Sequence, residues 1–356
     1  MDFHELPEGV SAKHVAEMHQ ADLEIEHKYN CRGLTYWCDE KRQTAFCLID
    51  APDKQAVLNL HQHSHGAVPQ RIIEVNDTIV ESFLGRIEDP EKSKKTTLNI
   101  INDPAFRTLM VVKIKHKTLS VKEIKILKAA IRGYHSSIKT LTTEFNGRLV
   151  RQEGNSFLMS FASVTDAMHC GLKINKVYNC IITPDLAFKI GISAGIPITE
   201  KEGIFEDTIN IAERVCEYVN KPISITSEVK DLYESEHLNV PINSNQVQTI
   251  STIDEKFLNH LIEHTERVWD QTALNASDFS KDLGYSKSQL YRKMMAVLGK
   301  SPNTFIKDYR LERALLLLQK KTDNVSEIAF KTGFNSAAYF SKCFRDKYGI
   351  LPSKYS

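Results

Sequence analysis

The feature that most constrains the fold is a pattern occurring twice in the last hundred residues: a short amphipathic helix, a glycine–aromatic turn, and a second helix with a polar, basic start. The first copy runs Asp278-Phe-Ser-Lys-Asp-Leu-Gly284-Tyr-Ser286-Lys-Ser-Gln-Leu-Tyr-Arg-Lys293. The second runs Val325-Ser-Glu-Ile-Ala-Phe-Lys-Thr-Gly333-Phe-Asn-Ser336-Ala-Ala-Tyr-Phe-Ser-Lys-Cys-Phe-Arg345. Glycine supplies the positive φ that the corner requires, and Ser286 or Ser336 can cap the helix that follows. Leu283, Leu290, Ile328, Ala329, Phe340 and Phe344 fall at helical spacing and are expected in the core. Between the copies, Pro302 to Lys320 reads as one long helix with an apolar stripe at Phe305, Tyr309, Leu311, Leu315 and Leu318. Two helix-turn-helix units on one connecting helix can offer two recognition helices to one face of DNA.

Charge agrees with that reading. Residues 255–356 hold 17 Lys and Arg against 11 Asp and Glu, an excess of six positive charges. The whole chain has 46 against 45, which leaves 29 against 34 in the first 254 residues. A basic module attached to an acidic body is the electrostatic footprint of nucleic-acid binding. On the first recognition helix Lys287, Ser288, Gln289 and Arg292 are the base-reading candidates, since Gln pairs with adenine and Arg with guanine in the major groove. Asn335, Ser336, Ala337, Tyr339 and Lys342 hold the equivalent places on the second and suit phosphate contacts as well as base edges.

Residues 255–356 resemble the DNA-binding domain of the AraC/XylS family of bacterial transcription regulators. The second unit carries the resemblance most fully, through Ile328-Ala329, Gly333-Phe334, Tyr339-Phe340, Phe344, Tyr348-Gly349 and Pro352-Ser353. It implies recognition helices in successive major grooves about one helical turn apart. The implied partners are double-stranded DNA, a second copy of the chain and RNA polymerase.

The 356 residues leave room for two or three domains. There is no run of eighteen apolar residues and no basic-then-apolar start, which argues against a membrane span or signal peptide. The seven Cys are scattered without a C-x-x-C pair, as expected in a reducing cytoplasm. Polar, proline-bearing stretches at 87–104 and 239–254 read as linkers. The expected fold class is therefore multidomain. An α+β ferredoxin-like domain occupies 1–86, an α/β cyclase-like domain 105–238, and an all-α domain with two helix-turn-helix units 255–356.

Within the first segment, strands near 1–6, 33–38, 44–49 and 70–76 and helices over 12–29 and 53–63 give the order β-α-β-β-α-β of a ferredoxin-like sandwich. The segment is rich in histidine, and His61 and His65, four apart near a helix end, can face the same ion; neutral imidazole suits Ni, Zn and Cu. Met1-Asp-Phe-His-Glu-Leu-Pro, His19-Gln-Ala-Asp-Leu, Tyr36-Trp, Phe46-Cys-Leu-Ile-Asp-Ala-Pro and His61-x-x-x-His65-Gly66 resemble a family of small bacterial nickel-binding proteins. The resemblance implies a dimer and a site for Ni or Zn at His19, Cys47, His61 and His65, with His4 as a further candidate.

The middle segment carries Phe145-Asn-Gly-Arg-Leu-Val-Arg-Gln-Glu-Gly154-Asn-Ser-Phe-Leu-Met-Ser-Phe161, Lys189-Ile-Gly-Ile-Ser-Ala-Gly195 and Phe205-Glu-Asp-Thr-Ile-Asn210-Ile-Ala-Glu-Arg214-Val. These resemble the class III adenylate/guanylate cyclase domain. Such cyclases hold two metal ions with two aspartates. The matching positions here are Lys113 and Asn155, a cation and a neutral amide, and neither suits a hard divalent ion. The expectation is a catalytically silent domain that serves in dimerisation, or that binds an anion through Lys113, Asn210 and Arg214. The whole reads as a cytoplasmic transcription regulator and not an enzyme. Its rivals are a nucleotide cyclase or a metal-binding protein with a DNA-binding tail.

Overall fold

The computed structural model describes residues 1–90, 98–116, 124–180, 186–237, 242, 245–321 and 323–355. In the first body β1 (Asp2–Glu5), α1 (Ala12–Ile25), β2 (Arg32–Asp39), β3 (Thr44–Asp50), α2 (Lys54–Ser64) and β4 (Arg71–Ile72) follow in order. The antiparallel sheet has the order β2-β3-β1-β4, the ferredoxin-like arrangement. Strand alternation gives the sheet two buried faces. Tyr36, Cys38, Ala45 and Cys47 point to α1 and α2. Trp37, Phe46, Leu48 and Ile73 point the other way.

A second sheet follows the same plan. After β5 (Arg107–His116) come α4 (Ile124–Glu144), β6 (Arg148–Glu153), β7 (Ser156–Phe161), α5 (Val164–Cys180) and β8 (Leu186–Gly195). The order β8-β5-β7-β6 repeats the topology of the first body. It is extended by α6 (Glu206–Tyr218), β9 (Ile223–Thr226), α7 (Ser227–Glu236) and β10 (Val247–Ile250), with β9 and β10 added in parallel. Met110, Val112, Phe157 and Met159 face α4 and α5. Leu109, Val111 and Leu158 face the opposite way and share one core with Trp37, Phe46 and Leu48 of the first body. The short helix α3 (Asp77–Leu84), which the sequence reading did not anticipate, contributes Val80, Phe83 and Leu84 to that core. Asn76 caps its start and Gly85, at φ +88°, ends it. The buried Arg107 guanidinium donates to the Phe83 and Leu84 carbonyls at the helix end, where positive charge is favoured. At about 2 kcal/mol for each large apolar side chain removed from water, this shared core opposes separation of the two sheets.

Both expected linkers need correction. Residues 91–97 lie outside the described residues, but Ile101 is buried, its N–H donates to the Tyr36 hydroxyl at 2.7 Å, and that hydroxyl donates to the Asn99 carbonyl at 2.8 Å. The end of the 87–104 stretch is thus strapped to the first body. The 239–254 stretch contains β10 and runs directly into α8 (Thr252–Val268), capped by Ser251. Its polar residues hid a four-residue edge strand whose two ends, Val247 and Ile250, are buried.

The C-terminal body contains α8, α9 (Ala276–Asp282), α10 (Lys287–Leu298), α11 (Pro302–Lys320), α12 (Val325–Lys331) and α13 (Ala337–Tyr348). The long helix α11 divides its apolar stripe. Phe305, Ile306 and Tyr309 join the core of the first unit, and Leu311, Ala314 and Leu318 that of the second. The first-unit core also takes Ile211 and Val215 from α6 and Val219 just beyond it, so the C-terminal body is seated on the middle one.

Candidate nucleic-acid interface and metal centre

Local sequence sets both turns as expected. Gly284 and Gly333 take φ +75° and +77°. The Ser286 hydroxyl accepts the Gln289 N–H and the Ser336 hydroxyl accepts the Tyr339 N–H. Leu283, Leu290, Ile328, Ala329, Phe340 and Phe344 are all buried. Arg310 of α11 fixes the units relative to each other: it donates to the Trp269 and Gln271 carbonyls at 2.7 Å and packs against Gly333.

Lys287, Ser288, Gln289 and Arg292 are exposed along α10, and Asn335, Ser336, Tyr339 and Lys342 are exposed at α13, with Ala337 half-buried. Among the described residues Lys287 and Lys342 form no ion pair, which leaves their charges free for phosphate. Gln289 is partly committed, because its side-chain oxygen accepts the Ser286 N–H at 3.0 Å in a capping box. A bidentate contact to adenine would have to release that cap, whereas the Arg292 guanidinium is held only by a 3.4 Å hydrogen bond from its Nε to the Ser288 carbonyl. Sequence reasoning missed Tyr291 and Met295, which lie on the same helix at 50% and 40% exposure. Large residues so exposed on a short helix are the signal that was available.

The first body brings some of its expected ligands together and not others. Cys47 joins Asp2 and His4 in one group, and His61 and His65 join Asp22 in a second. His19 belongs to neither: it faces Asp89 at 3.4 Å and packs on Tyr36. The two groups touch through His61, whose Nε2 lies 2.9 Å from Asp2 and whose Nδ1 lies 3.2 Å from Asp22. Asp2 arrives through strand pairing opposite Cys47, and Asp22 through the inward face of α1. Neither carboxylate has a spacing signal in the sequence. Burial alone would lower the His61 pKa, but hydrogen bonds to Asp2 and Asp22 raise it to about 10. Burial likewise opposes charge on Asp2 and Asp22, yet the surrounding imidazoles hold both carboxyls well below their usual range. Two buried carboxylates around one imidazolium leave a net negative pocket. His4 Nε2 faces Asp2 Oδ1 at 3.4 Å. Imidazole, thiol and carboxylate donors around an excess of negative charge fit a divalent transition metal.

In the middle body the residues expected to bind an anion separate. Lys113 donates to Glu217 of α6 at 3.0 Å and is already neutralised. Asn210 and Arg214 line a cleft against α8 instead. Asn155 pairs with His135 of α4 at 3.1 Å while Lys113 points to α6, so these two residues do not combine into a site for divalent ions.

Comparison with known proteins divides along the same lines. A family profile described as "Helix-turn-helix domain" matches residues 279–356, and one described as "Nickel responsive protein SCO4226-like" matches residues 1–75. The chain is similar to the histidine kinase P4 of Formosa agariphila, with 27% identity over 272 residues, 73% of this chain and 19% of that protein. It is also similar to the HTH-type transcriptional regulator MtrA of Neisseria gonorrhoeae, with 33% identity over 105 residues, 28% of this chain and 33% of that one. The chain thus spans about a fifth and a third of the length of these two relatives. A solved AraC-type regulator from Chromobacterium violaceum is 27% identical over 28% of this chain and 89% of its own, with a TM-score of 0.27. No helix among the described residues is long and apolar enough to cross a membrane.

Proposed function

We infer, from a chain that opens with an SCO4226-like domain and closes with an AraC-type helix-turn-helix domain, that the protein is a DNA-binding transcription regulator. The single observation that carries this is the pair of capped, outward-facing helices α10 and α13 held by one continuous helix, with Arg310 fixing their relation. Arg292 reads a base, Lys287 and Lys342 meet phosphates, and Asn335 and Tyr339 contact the backbone or base edges of the second groove. A second copy of the chain and RNA polymerase complete the set of partners.

The first body acts as the sensor. Its family implies nickel, and the donor set fits: Asp22, His61 and His65 would hold the ion, with Asp2, His4 and Cys47 beside them. When bound, the ion supplies positive charge between the two carboxylates. The protein's own part is to supply the two buried carboxylates, to let the bound ion displace the proton that they hold on His61, and to carry any rearrangement outward along β1. Asp2 of β1 faces the site, and Met1 just before the strand sits in the core shared with the middle body. The middle body is a catalytically silent, cyclase-like scaffold: it has the βαββαβ order, and its Lys113 is tied to Glu217. Fluorescence anisotropy of the full chain on its own upstream DNA, with chelator and then with Ni²⁺ or Zn²⁺, tests the reading. Salt-dependent DNA binding is expected, with a metal-dependent change that disappears in a His61→Ala, His65→Ala variant. Absence of DNA binding would overturn it.

A further inference from the structure

Where the C-terminal body is seated on the middle one, a cleft of about 300 Å³ remains, at the small end for ligand pockets. Ser193 at the end of β8 lines it, Asn210 and Arg214 of α6 form one wall, and Glu228 of α7 with Glu255 and Glu263 of α8 form the other. Arg214 is not free to grip a ligand. It donates to Asn259 at 2.5 Å and to Glu263 at 3.3 Å.

Charge decides what the cleft can take. With Asp207 at the rim, four carboxyl groups face two cations, Lys201 and Arg214. An incoming anion would meet an excess of negative charge and would have to break the Arg214 contacts, which argues against the anion expected from the sequence. Unused hydrogen-bonding groups point the same way. Ser193 is 3% exposed, and its hydroxyl has no partner among the described residues. Glu255 accepts the Ser227 N–H, while its Oε1 is buried with no partner. Burial raises the pKa of Glu255, and the charge of neighbouring Glu228, itself exposed, raises it further. Unmatched buried polar groups of this kind cost about 1–3 kcal/mol each, so a ligand that satisfies them gains correspondingly.

We propose that this cleft binds a small hydroxylated amine, its ammonium set against Glu255 and Glu228 and its hydroxyls hydrogen-bonded by Ser193 and Asn210. Because Glu228 stands on α7 and Glu255 on α8, the ligand joins the middle body to the first helix of the DNA-binding body. The binding claim is independent of the DNA-binding reading.

Isothermal titration calorimetry on the full chain tests it, with D-glucosamine, ethanolamine and spermidine as amines, D-glucose as the uncharged comparator and ATP as the anionic one. Glucosamine or ethanolamine should bind with a Kd below about 1 mM and glucose should not, and binding of spermidine alone would contradict the proposed hydroxyl contacts. Glu255→Gln should weaken that amine by about tenfold or more, and Ser193→Ala should weaken glucosamine or ethanolamine, which carry hydroxyls. His61→Ala, remote from the cleft, should leave amine binding unchanged. Should Glu255→Gln misfold by circular dichroism, Ser193→Ala alone carries the test. No amine binding up to about 10 mM, amine binding unaffected by both cleft variants, or ATP binding more tightly than every amine would each overturn the proposal.

Discussion

Replacing Glu217 by Gln removes the one carboxylate that neutralises both Lys113 and Lys115, and it tests whether this corner is structural or a vacant anion site. Burial alone would raise the Glu217 pKa, but the two ammonium groups hold it at about 2, against an ordinary value of 4.5. Each pKa unit is about 1.4 kcal/mol of coupling, so the pair of contacts stabilises the folded state by roughly 3 kcal/mol at neutral pH. The Glu217 side chain is 17% exposed, so solvent screening reduces this little. The sign follows from the depressed pKa: the stabilisation is full above the unfolded value near 4.5 and is lost as pH falls through about 2. A chain with several cores need not unfold in one step, so local hydrogen exchange is the assay of choice. In Glu217→Gln, amides of β5 and α6 should exchange roughly a hundredfold faster than in the parent at pH 7, and the difference should shrink toward pH 2–3. Unchanged exchange, or a difference that persists undiminished at low pH, would refute the reasoning.

Three further outcomes follow from the geometry. Arg292→Ala should weaken DNA binding about tenfold to a hundredfold and relax preference at one base, whereas Lys342→Ala should weaken all sequences alike and lower the salt slope by about one; anisotropy at several salt concentrations distinguishes them. Gly333→Ala should destabilise the second unit by more than about 1 kcal/mol in thermal melts, because φ is +77° and the new Cβ would fall 2.8 Å from Arg310 Nε and 3.0 Å from the Asp270 carbonyl. Nickel binding followed by absorption spectroscopy should be lost in Asp22→Asn and in His65→Ala and retained in His19→Ala, since His19 pairs with Asp89 outside both donor groups.

What could be read in advance was whatever leaves a local pattern. Gly284, Gly333, Ser286 and Ser336 each answer to a backbone requirement a few residues wide, and all four do in the fold what their chemistry demands. The βαββαβ order of the first body was legible from the β-rich runs Leu34-Thr-Tyr-Trp and Phe46-Cys-Leu-Ile and the polar turn Asp39-Glu-Lys-Arg-Gln between them. The helix α3 was signalled by Asn76 at its start and Gly85 at its end, but eight residues gave too little periodicity to stand out. β9 alternates as Ile223-Ser-Ile-Thr226 but is only four residues long, too short to stand out, and the polar Gln248 and Thr249 of β10 gave that segment the look of a linker. Asp2 and Asp22 could not be placed at all. Their meeting around His61 depends on the Asp2–Cys47 register and on how α1 lies on the sheet, both of which are tertiary. The anion site failed for the same reason: the partner of Lys113 lies 104 residues away in the chain.

The most direct test of the central claim is a hydroxyl-radical footprint of the full chain on its own upstream DNA. Two recognition helices on one rigid α11 predict two protected major-groove segments about 10 base pairs apart on one face of the duplex, the second lost in a Tyr339→Ala, Lys342→Ala variant. A single protected segment, or protection that does not depend on sequence, would contradict the account.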